Sequence, residues 1–305
     1  MKSAVSRKTL YNKADYAGCF HDEADLIHLP NVDSWLVRRK INGSDLTDLI
    51  NPYPIFKCQD FSRINEDIQF LSKSVEDVSL TLRTDPFDEA VIDKFRSVFD
   101  YIKPFKKHYI TNLITPWREF VSRRCKRYAA KASEKFNISK VDNPTDLAFD
   151  LWELNQEVLK RMPSVHGQAL SLITIRKLLA LPESILFKAE NADGIQGLAL
   201  YLQSGQHVYA HTLGVSNEGR DNYAVYGLYG QALDYFQYSG CVIDFGSSAG
   251  LVDNADDSLA SFKKAWSTET KTSFICGKIL NPEYFSQLYP TPISQRFDYF
   301  PPYRY

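Results

Sequence analysis

The most constraining feature of this sequence is a set of three apolar segments, separated by tight-turn signals, between residues 184 and 215. The segments read ILFKAEN, IQGLALYLQ and HVYAHTLGV, and the breaks between them are Asp193-Gly194 and Ser204-Gly205. Such breaks between β-branched and aromatic runs are typical of hairpins. The pattern predicts an antiparallel meander, and the rest of the chain has to be accommodated around it.

The residues that follow the meander predict a second kind of connection. The segment SNEGRDN leads into apolar residues at helical spacing, which indicates a loop and then a helix ending at Ser239-Gly240. The short run CVIDFG is typical of a buried strand that follows a crossover helix. Asp253 or Asn254 is then expected to cap another helix, and SFICGKIL predicts a last strand.

Upstream of the meander, helices are predicted at 116–136, 144–159 and 168–181, each near a Pro, Asp, Asn or Gln. The earlier part of the chain mixes short strand patterns (SWLVRRKI, VSLTLR, HYITNLI) with helical spacing near 60–73 and 88–99. These patterns predict an α/β (α+β) fold with mixed, mostly antiparallel sheets flanked by helices.

A chain of 305 residues suits two domains, because the usual domain has about 100–150 residues. We place the first at 1–115 and the second at 116–305, with 116–182 as a helical lead-in to the second sheet. We expect the second domain to carry the donor site and the catalytic groups.

Charge and composition exclude several classes of protein. Lys and Arg total 36 against 37 for Asp and Glu, so the chain has no overall field that attracts DNA or an anionic membrane. No apolar run approaches the ~20 residues of a spanning helix or resembles a signal peptide, so we expect a cytoplasmic protein without stable membrane insertion. The five cysteines are too far apart for a disulfide framework or paired zinc ligands, and we expect them reduced and mostly buried.

The junction between the third strand and its helix is the first candidate site. A helix N-terminus presents unpaired N–H groups and a partial positive charge, which suits a phosphate or pyrophosphate, and Gly219 would permit close backbone approach. Most such junctions bind nothing, and this one lacks a Gly-rich nucleotide fingerprint. The residues expected to contact a donor are Val215, Ser216, Asn217, Gly219, Arg220, Asn222 and Tyr223.

A basic helix is the second candidate. Eight Lys and Arg residues lie between 118 and 140, opposed only by Glu119 and Glu134. Residues 123, 127, 131 and 135 share one helical face. The helix is either an ordinary solvated face or a local contact for a diphosphate-bearing substrate or tRNA.

Three polar side chains stand out as chemical groups. Asp244 lies in an otherwise apolar strand and must be paired or placed at a cleft. His211 either acts as a general base or packs on the face that it shares with Tyr209; it lies too far along the strand from His207 for the two to bind one zinc ion, and no metal is expected. Lys263 lies between two aromatic residues, which would hold its stem on apolar surface.

These motifs, taken in order, resemble the Fem-like branch of the GNAT acyltransferases. The resemblance lies in Gly214 to Gly219, the helix through Tyr226-Gly227-Leu228, Ile243-Asp244-Phe245-Gly246 and Phe262-Lys263-Lys264-Ala265-Trp266. Upstream, Asn51-Pro52-Tyr53-Pro54, Leu82-Arg83 with Asp85-Pro86, and the helix from Arg123 to Lys131 are similar to further family elements. The chain departs from the family pattern where Pro54 replaces a glycine and Asp85 replaces a histidine.

The resemblance implies tandem GNAT-like domains, the first of them degenerate, and transfer of an acyl or aminoacyl group to an amine. The donor would be acyl-CoA, with a sugar, nucleotide-sugar or cell-envelope precursor as acceptor, or else aminoacyl-tRNA, as in peptidoglycan-bridge enzymes. A non-catalytic binding protein with the same fold is the third alternative. We expect direct attack by the amine, with charge stabilised by Lys263 and the proton received or oriented by Asp244 or His211. Tyr53, Arg83, Arg123 and Tyr209 are expected to line the acceptor site.

Overall fold

The computed structural model describes residues 9–58, 60–161, 169–250, 257–291 and 299–304. The chain divides into two compact units, one formed by residues 1–105 with 272–305 and the other by residues 106–271. These bounds differ from the sequence division at 115/116, above all in the assignment of 272–305. The reason is the last strand, which pairs with a strand of the first unit nearly 200 positions earlier, a relation that no local pattern shows.

The first unit is built on a sheet of short strands. They are β1 (Leu26–Leu29), β2 (Ser34–Lys40), β3 (Thr47–Ile50), β4 (Asp77–Arg83) and the part of β11 (Glu269–Ile279) that belongs to this unit. Its helices are α1 (Ala14–Ala17), α2 (Ile64–Leu71), α3 (Ile92–Phe95) and α11 (Pro282–Leu288), with single 3₁₀ turns at Leu10–Asn12, Glu23–Asp25, Phe61–Arg63, Pro86–Val91 and Pro302–Arg304. Strands β3 and β4 are parallel, and the other pairs are antiparallel.

Strand β4 shows how the pattern of residues builds this unit. Leu80 and Leu82 are fully buried in the apolar core with Leu36, Leu49 and Ile68, as the two-residue period of a strand requires. The helix predicted at 88–99 is confined to α3, because a 3₁₀ turn occupies Pro86–Val91. The predicted strands SWLVRRKI and VSLTLR are confirmed as β2 and β4.

The second unit contains more of the strand and helix residues than the first. Its strands are β5 (Tyr101–Asn112, which enters from the first unit), β6 (Asn137–Lys140), β7 (Ser184–Asn191), β8 (Gly194–Ser204), β9 (His207–Val215) and β10 (Val242–Asp244). Its helices are α4 (Trp117–Phe120), α5 (Arg123–Lys135), α6 (Ala148–Arg161), α7 (Leu172–Leu179), α8 (Asn217–Asp221), α9 (Ala224–Phe236) and α10 (Ser258–Lys264), with a 3₁₀ turn at Pro144–Leu147. The strands are ordered β5-β10-β9-β8-β7-β6.

The meander predicted from the turn signals is confirmed as β7, β8 and β9, all antiparallel. The helix predicted at 116–136 is interrupted: it consists of α4 and α5, and Ser122 caps α5 by accepting a hydrogen bond from the Cys125 N–H at 3.3 Å. Asp253 and Asn254 lie outside the described residues. The cap of α10 is Asp257, whose side chain accepts from the Leu259 N–H at 3.2 Å.

The core of the second unit is rich in aromatic residues. Trp266 is fully buried and lies 5.8 Å from Trp117 and 5.5 Å from Tyr229, measured between ring centroids. Tyr229 stacks on Phe245 at 4.8 Å. These contacts fix α9 and the segment after β10 against one another, which positions the groups described below.

Both units confirm the expected α/β class, with mixed and mostly antiparallel sheets and helices packed on them. All five cysteines are buried, and none is in a disulfide. Within the described ranges, no helix combines the length and the apolar character that crossing a membrane requires.

Candidate active site

The second unit has a point at which two parallel strands part. Strand β10 pairs with β9 over three positions, the last of which places Asp244 opposite Tyr209. Strand β10 ends there, whereas β9 continues to Val215, about 20 Å farther at ~3.3 Å per residue. In α/β sheets, ligands bind beyond the carboxyl ends of such strands, and the polar side chains of this unit collect at that place.

Asp244 is paired with a histidine that the sequence did not single out. Its Oδ2 lies 2.8 Å from Nδ1 of His108 on β5, and its Oδ1 accepts a hydrogen bond from the Gly246 N–H at 2.7 Å. The two side chains are 4% and 12% exposed, respectively. Asp244 pairs with Ile110 in the β5–β10 register, so His108 is its diagonal cross-strand neighbour.

Lys263 lies beside the same segment. Its Nζ donates to the carbonyl oxygen of Ser247 at 2.7 Å, and a Cβ added to Gly246 would lie 3.2 Å from that nitrogen. Burial lowers the pKa of Lys263 to about 8, although Asp244 and Asp257 oppose this effect. Gly246 has φ +77°, so glycine is needed here both for the backbone and for the space that the ammonium group occupies.

A second lysine approaches this segment from β5. Lys106 is 5% exposed, and its Nζ donates to Ser248 Oγ at 3.2 Å. It lowers the pKa of Lys263 by charge repulsion, as the smallest of the contributions. The segment 246–249 therefore lies between two ammonium groups and the Asp244 carboxylate.

His211 occupies an irregular position on β9. Leu200 pairs with Thr212 and Tyr201 with Ala210, so His211 is an extra residue, a β-bulge of the kind that often lies next to functional sites. Its Nδ1 lies 2.8 Å from Thr212 Oγ1, and burial lowers its pKa to about 4. A histidine with so low a pKa is a weak base at neutral pH.

The predicted donor segment is held mainly by contacts within the unit. Ser216 Oγ accepts from the Gly219 N–H at 2.9 Å, and a Cβ on Gly219 would overlap the carbonyl oxygen of Gln196. Gly219 is therefore required for packing against β8. Arg161, which the sequence did not indicate, donates to Val215 O and to Asn217 Oδ1, both at 2.7 Å.

The remaining donor-segment residues are at the surface. Arg220 pairs with Asp221 at 3.3 Å, and the Asn222 side chain donates to Glu218 O at 3.1 Å. The segment predicted to be a loop instead contains the short helix α8, and the predicted helix is α9, which Tyr223 with φ +67° separates from α8.

Tyr223 connects the donor segment to the basic helix. Its ring stacks on Tyr128 of α5 with centroids 4.1 Å apart, and Lys131 Nζ lies 5.8 Å from the centroid of Tyr223. Arg124 and Arg127 lie 5.5 Å and 5.1 Å from the centroid of Tyr128. All three cations are exposed, and within the described part of the chain none is paired with a carboxylate.

Two predicted acceptor residues belong to the first unit. The carbonyl of Tyr53 accepts a hydrogen bond from Tyr16 Oη at 2.7 Å, and the Arg83 N–H donates to Asn51 Oδ1 at 2.8 Å. Arg123 is the exposed first residue of α5 in the second unit, and Tyr209 is 5% exposed in β9. Within the second unit, the structure brings Asp244, Lys263 and Tyr209 to the end of β10.

No protein-family model and no curated protein matches this sequence. Solved structures match its fold. FemX is 14% identical with a TM-score of 0.62, over 84% of this chain and 86% of that one. The C-terminal domain of a putative lysylphosphatidylglycerol synthetase from Agrobacterium fabrum is 10% identical with a TM-score of 0.60, over 92% and 90%. L-PGS from Bacillus licheniformis is 9% identical with a TM-score of 0.60, over 86% and 85%.

The chain has a Fem/GNAT-like fold. At these identities the likeness concerns the fold alone, and it agrees with the order of motifs in the sequence. The sequence pattern had pointed to Asp244 and Lys263, which lie near one another here, but not to their neighbours His108 and Lys106 or to Arg161. The signal for His108 was indirect, since a buried Asp244 required a partner, and that partner is 136 positions away.

Proposed function

We propose that this protein is an N-acyltransferase that moves an acyl group from acyl-CoA to an amine of a sugar, nucleotide-sugar or cell-envelope precursor. The observation that carries the proposal is the meeting of the Asp244–His108 pair with Lys263 where β9 and β10 part, within a Fem/GNAT-like fold. The amine would attack the acyl carbonyl directly.

Lys263 is the proposed group for charge stabilisation. Negative charge develops on the carbonyl oxygen as the amine attacks, and a fixed, poorly hydrated ammonium stabilises it more than water does. Burial lowers the pKa of Lys263 to about 8, so below that pH the ammonium form predominates.

Direct attack is favoured over a covalent enzyme intermediate by the state of the thiols. Burial raises the pKa of Cys125 and of Cys276, the latter to about 12. A thiol is nucleophilic as its thiolate, and such environments disfavour the thiolate.

We place the donor's phosphates along Val215–Tyr223. The support is the cationic and aromatic border of this segment: Arg161 contacts its first residues, and Lys131 lies over Tyr223. The part of β9 between Tyr209 and Val215 would then lie alongside the chain that joins the phosphates of acyl-CoA to its thioester, and the thioester would lie near Lys263. The acceptor contacts proposed for Tyr53, Arg83, Arg123 and Tyr209 rest on the sequence resemblance.

Thiol release tests the proposal. The protein is incubated with acetyl-CoA and, in turn, amino sugars, nucleotide-linked amino sugars and amino acids, while free thiol is followed by absorbance and the acylated amine by mass spectrometry. We expect stoichiometric thiol and amide product with one acceptor class. Thermal stabilisation by acetyl-CoA without product would instead favour a non-catalytic binding protein.

A second candidate, an aminoacyl-tRNA-dependent transferase, is favoured by one specific observation. Along α5, the exposed residues Arg123, Arg124, Arg127, Lys131 and Lys135 face only Glu134 as an acid within that helix. From Arg123 to Lys135 the row extends about 18 Å at 1.5 Å per residue, which is longer than one phosphate group needs. Neutralising several phosphates of an RNA would give a steep dependence on salt.

Filter binding separates the two donors. The wild-type protein is compared with a variant carrying Arg124→Gln, Arg127→Gln and Lys131→Gln, and with a control of equal charge change carrying Lys73→Gln, Lys94→Gln and Lys264→Gln, all at exposed positions. If tRNA is the donor, only the first variant loses tRNA retention, and the slope of log affinity against log salt falls by about 2–3. Retention of acyl-CoA alone, unchanged by salt beyond a few-fold, favours the first candidate.

A further inference from the structure

We propose that His108 is the proton acceptor of the transfer reaction and that Asp244 is a positioning residue that holds it in the reactive tautomer. This inference rests on the proposed function and names a group that neither the sequence pattern nor the fold assigns. It also replaces the expectation that Asp244 or His211 receives the proton.

The carboxylate of Asp244 is held in place by two hydrogen bonds. Both oxygens of Asp244 are engaged, Oδ1 by the Gly246 N–H at 2.7 Å and Oδ2 by Nδ1 of His108 at 2.8 Å. An ionised carboxylate only accepts hydrogen bonds. The proton of neutral His108 is therefore assigned to Nδ1, and the lone pair lies on Nε2.

The other ring nitrogen of His108, Nε2, is available for a proton. The described residues give Nε2 of His108 no hydrogen-bond partner. The ring is 12% exposed on its side chain, so it is held rigidly but is not sealed from the site. An Asp–His pair in which the carboxylate fixes Nδ1–H and leaves Nε2 to take a proton is a recurring solution to general-base catalysis.

His211 and Asp244, the two residues expected from the sequence to receive the proton, are less suited to it. His211 contacts Thr212 through Nδ1, and burial lowers its pKa to about 4. Asp244 has both oxygens committed to the structure around it. Of the three groups, His108 combines a fixed orientation with a ring nitrogen that the described residues leave without a hydrogen-bond partner.

The neutral amine nitrogen forms a bond to the acyl carbonyl carbon, and the resulting cationic nitrogen gives one proton to Nε2 of His108. The carbon–sulfur bond of the thioester, or the carbon–oxygen bond of an ester donor, then breaks, and the leaving group takes the electron pair. The proton on Nε2 passes to that leaving group, directly or through water, which restores neutral His108.

The test joins a structural readout to a kinetic one. The tautomer of His108 is determined from long-range ¹H–¹⁵N NMR correlations in the wild-type protein and in Asp244→Asn. Turnover is measured with acetyl-CoA and with a pool of aminoacyl-tRNA, using the amino-sugar and amino-acid acceptors named above. We expect Nδ1–H in the wild type and Nε2–H in Asp244→Asn, because the new amide can donate to Nδ1.

We expect kcat to fall about 10⁴-fold in Asp244→Asn, the loss typical of a wrong histidine tautomer, with little change in the KM of the donor. His108→Gln should lose about 10²–10⁴-fold and serves if Asp244→Asn does not fold. The control is His28→Gln, which removes an exposed His–Asp pair of 3.3 Å in the first unit and should leave kcat unchanged.

Two results would overturn the role of His108 while leaving the transfer reaction intact: an Nε2–H tautomer in the wild type, or full turnover by His108→Gln. Absence of turnover by the wild type with both donors would overturn the proposed function and the base role together. In that case the NMR result still reports whether Asp244 orients His108, so the two failures are distinguishable.

Discussion

Each unit holds a lysine near aspartates, and the pKa values of the two lysines are shifted in opposite directions. In the first unit, Lys57 Nζ lies 2.8 Å from carboxylate oxygens of both Asp85 and Asp88. Burial alone would lower the pKa of Lys57, but the two carboxylates outweigh it and raise the pKa. In the second unit, Lys263 bonds a backbone carbonyl, and burial lowers its pKa to about 8.

The difference lies in the acceptor that reaches the ammonium group. Lys57 donates to one oxygen of Asp85 and to both oxygens of Asp88, while the other Asp85 oxygen accepts from the Phe87 N–H. The oxygens of Asp244 are instead bonded to His108 and to the Gly246 N–H. The ion pairs of Lys57 neutralise its charge and stabilise the fold. The positive charge of Lys263 is bonded to a neutral carbonyl oxygen and not to a carboxylate, so it can stabilise the negative charge of a substrate oxyanion.

The largest expected effect is on the first lysine. Lys57→Met should lower the free energy of unfolding by about 3–5 kcal/mol, because it leaves two carboxylates without their buried counter-charge. Urea unfolding at pH 7 measures it. Lys263→Met is the matched control and should cost less than about 1 kcal/mol, since a poorly paired buried charge is removed along with its desolvation penalty. Equal costs for the two variants would contradict the comparison.

The second effect is on catalysis. Lys263→Ala should reduce turnover about 10²–10³-fold, the loss typical of removing one oxyanion-stabilising group. Lys264→Ala, at the exposed neighbouring position, should keep wild-type turnover. The thiol-release assay checks both, and full activity in Lys263→Ala would remove the role assigned to this lysine.

The third effect depends on pH. The folded-state pKa of Lys263 is lowered to about 8 from an ordinary value of 10.5, so between these pH values the unfolded chain binds a proton that the native state lacks. Stability from this group therefore rises as pH increases from 8 to 10.5, by up to about 3 kcal/mol. The difference in unfolding free energy between wild type and Lys263→Met should change in that direction, while turnover falls as pH rises through about 8. A flat difference across this range would contradict the assignment.

The smallest effect concerns the glycine beside the ammonium. Gly246→Ala and Gly250→Ala both place a side chain at positive φ, +77° and +73°, and each should cost about 1–2 kcal/mol. At Gly246 the added Cβ lies near Lys263 Nζ, whereas at Gly250 no atom of the described residues lies within 4 Å of it. Turnover should therefore fall several-fold in Gly246→Ala and remain unchanged in Gly250→Ala, as measured by thiol release.

The sequence was sufficient where structure is set locally. The turns at Gly194 and Gly205 and the alternation of apolar residues predicted β7 to β9, and these are the strands observed. Asp244 and Lys263 stood out because a charged side chain among apolar residues has to be paired or to lie at a cleft. The order of motifs then indicated the Fem/GNAT-like fold that the solved structures show.

The parts that were missed depend on contacts between distant residues. His108 resembles an ordinary strand residue until β5 pairs with β10, and Arg161 resembles the end of an amphipathic helix until it reaches Val215. Asp85, a departure from the family pattern, becomes intelligible only beside Lys57. Gly219 was given a ligand-binding reason, whereas the close packing on Gln196 explains it.

The path of β11 has a consequence for how the protein is made. Residues 106–271 form a compact unit of their own, whereas β4 has to wait for Ile275–Ile279 to pair with it. During synthesis, which proceeds at ~5–20 residues per second, the second unit can therefore complete its fold before the first. About 190 residues separate the end of β4 from Ile275, so for roughly 10–40 seconds of synthesis the edge of β4 that β11 will occupy stays open. During this time another chain can pair with the open edge and cause aggregation. We therefore expect the nascent chain to depend on chaperones more than the finished protein does.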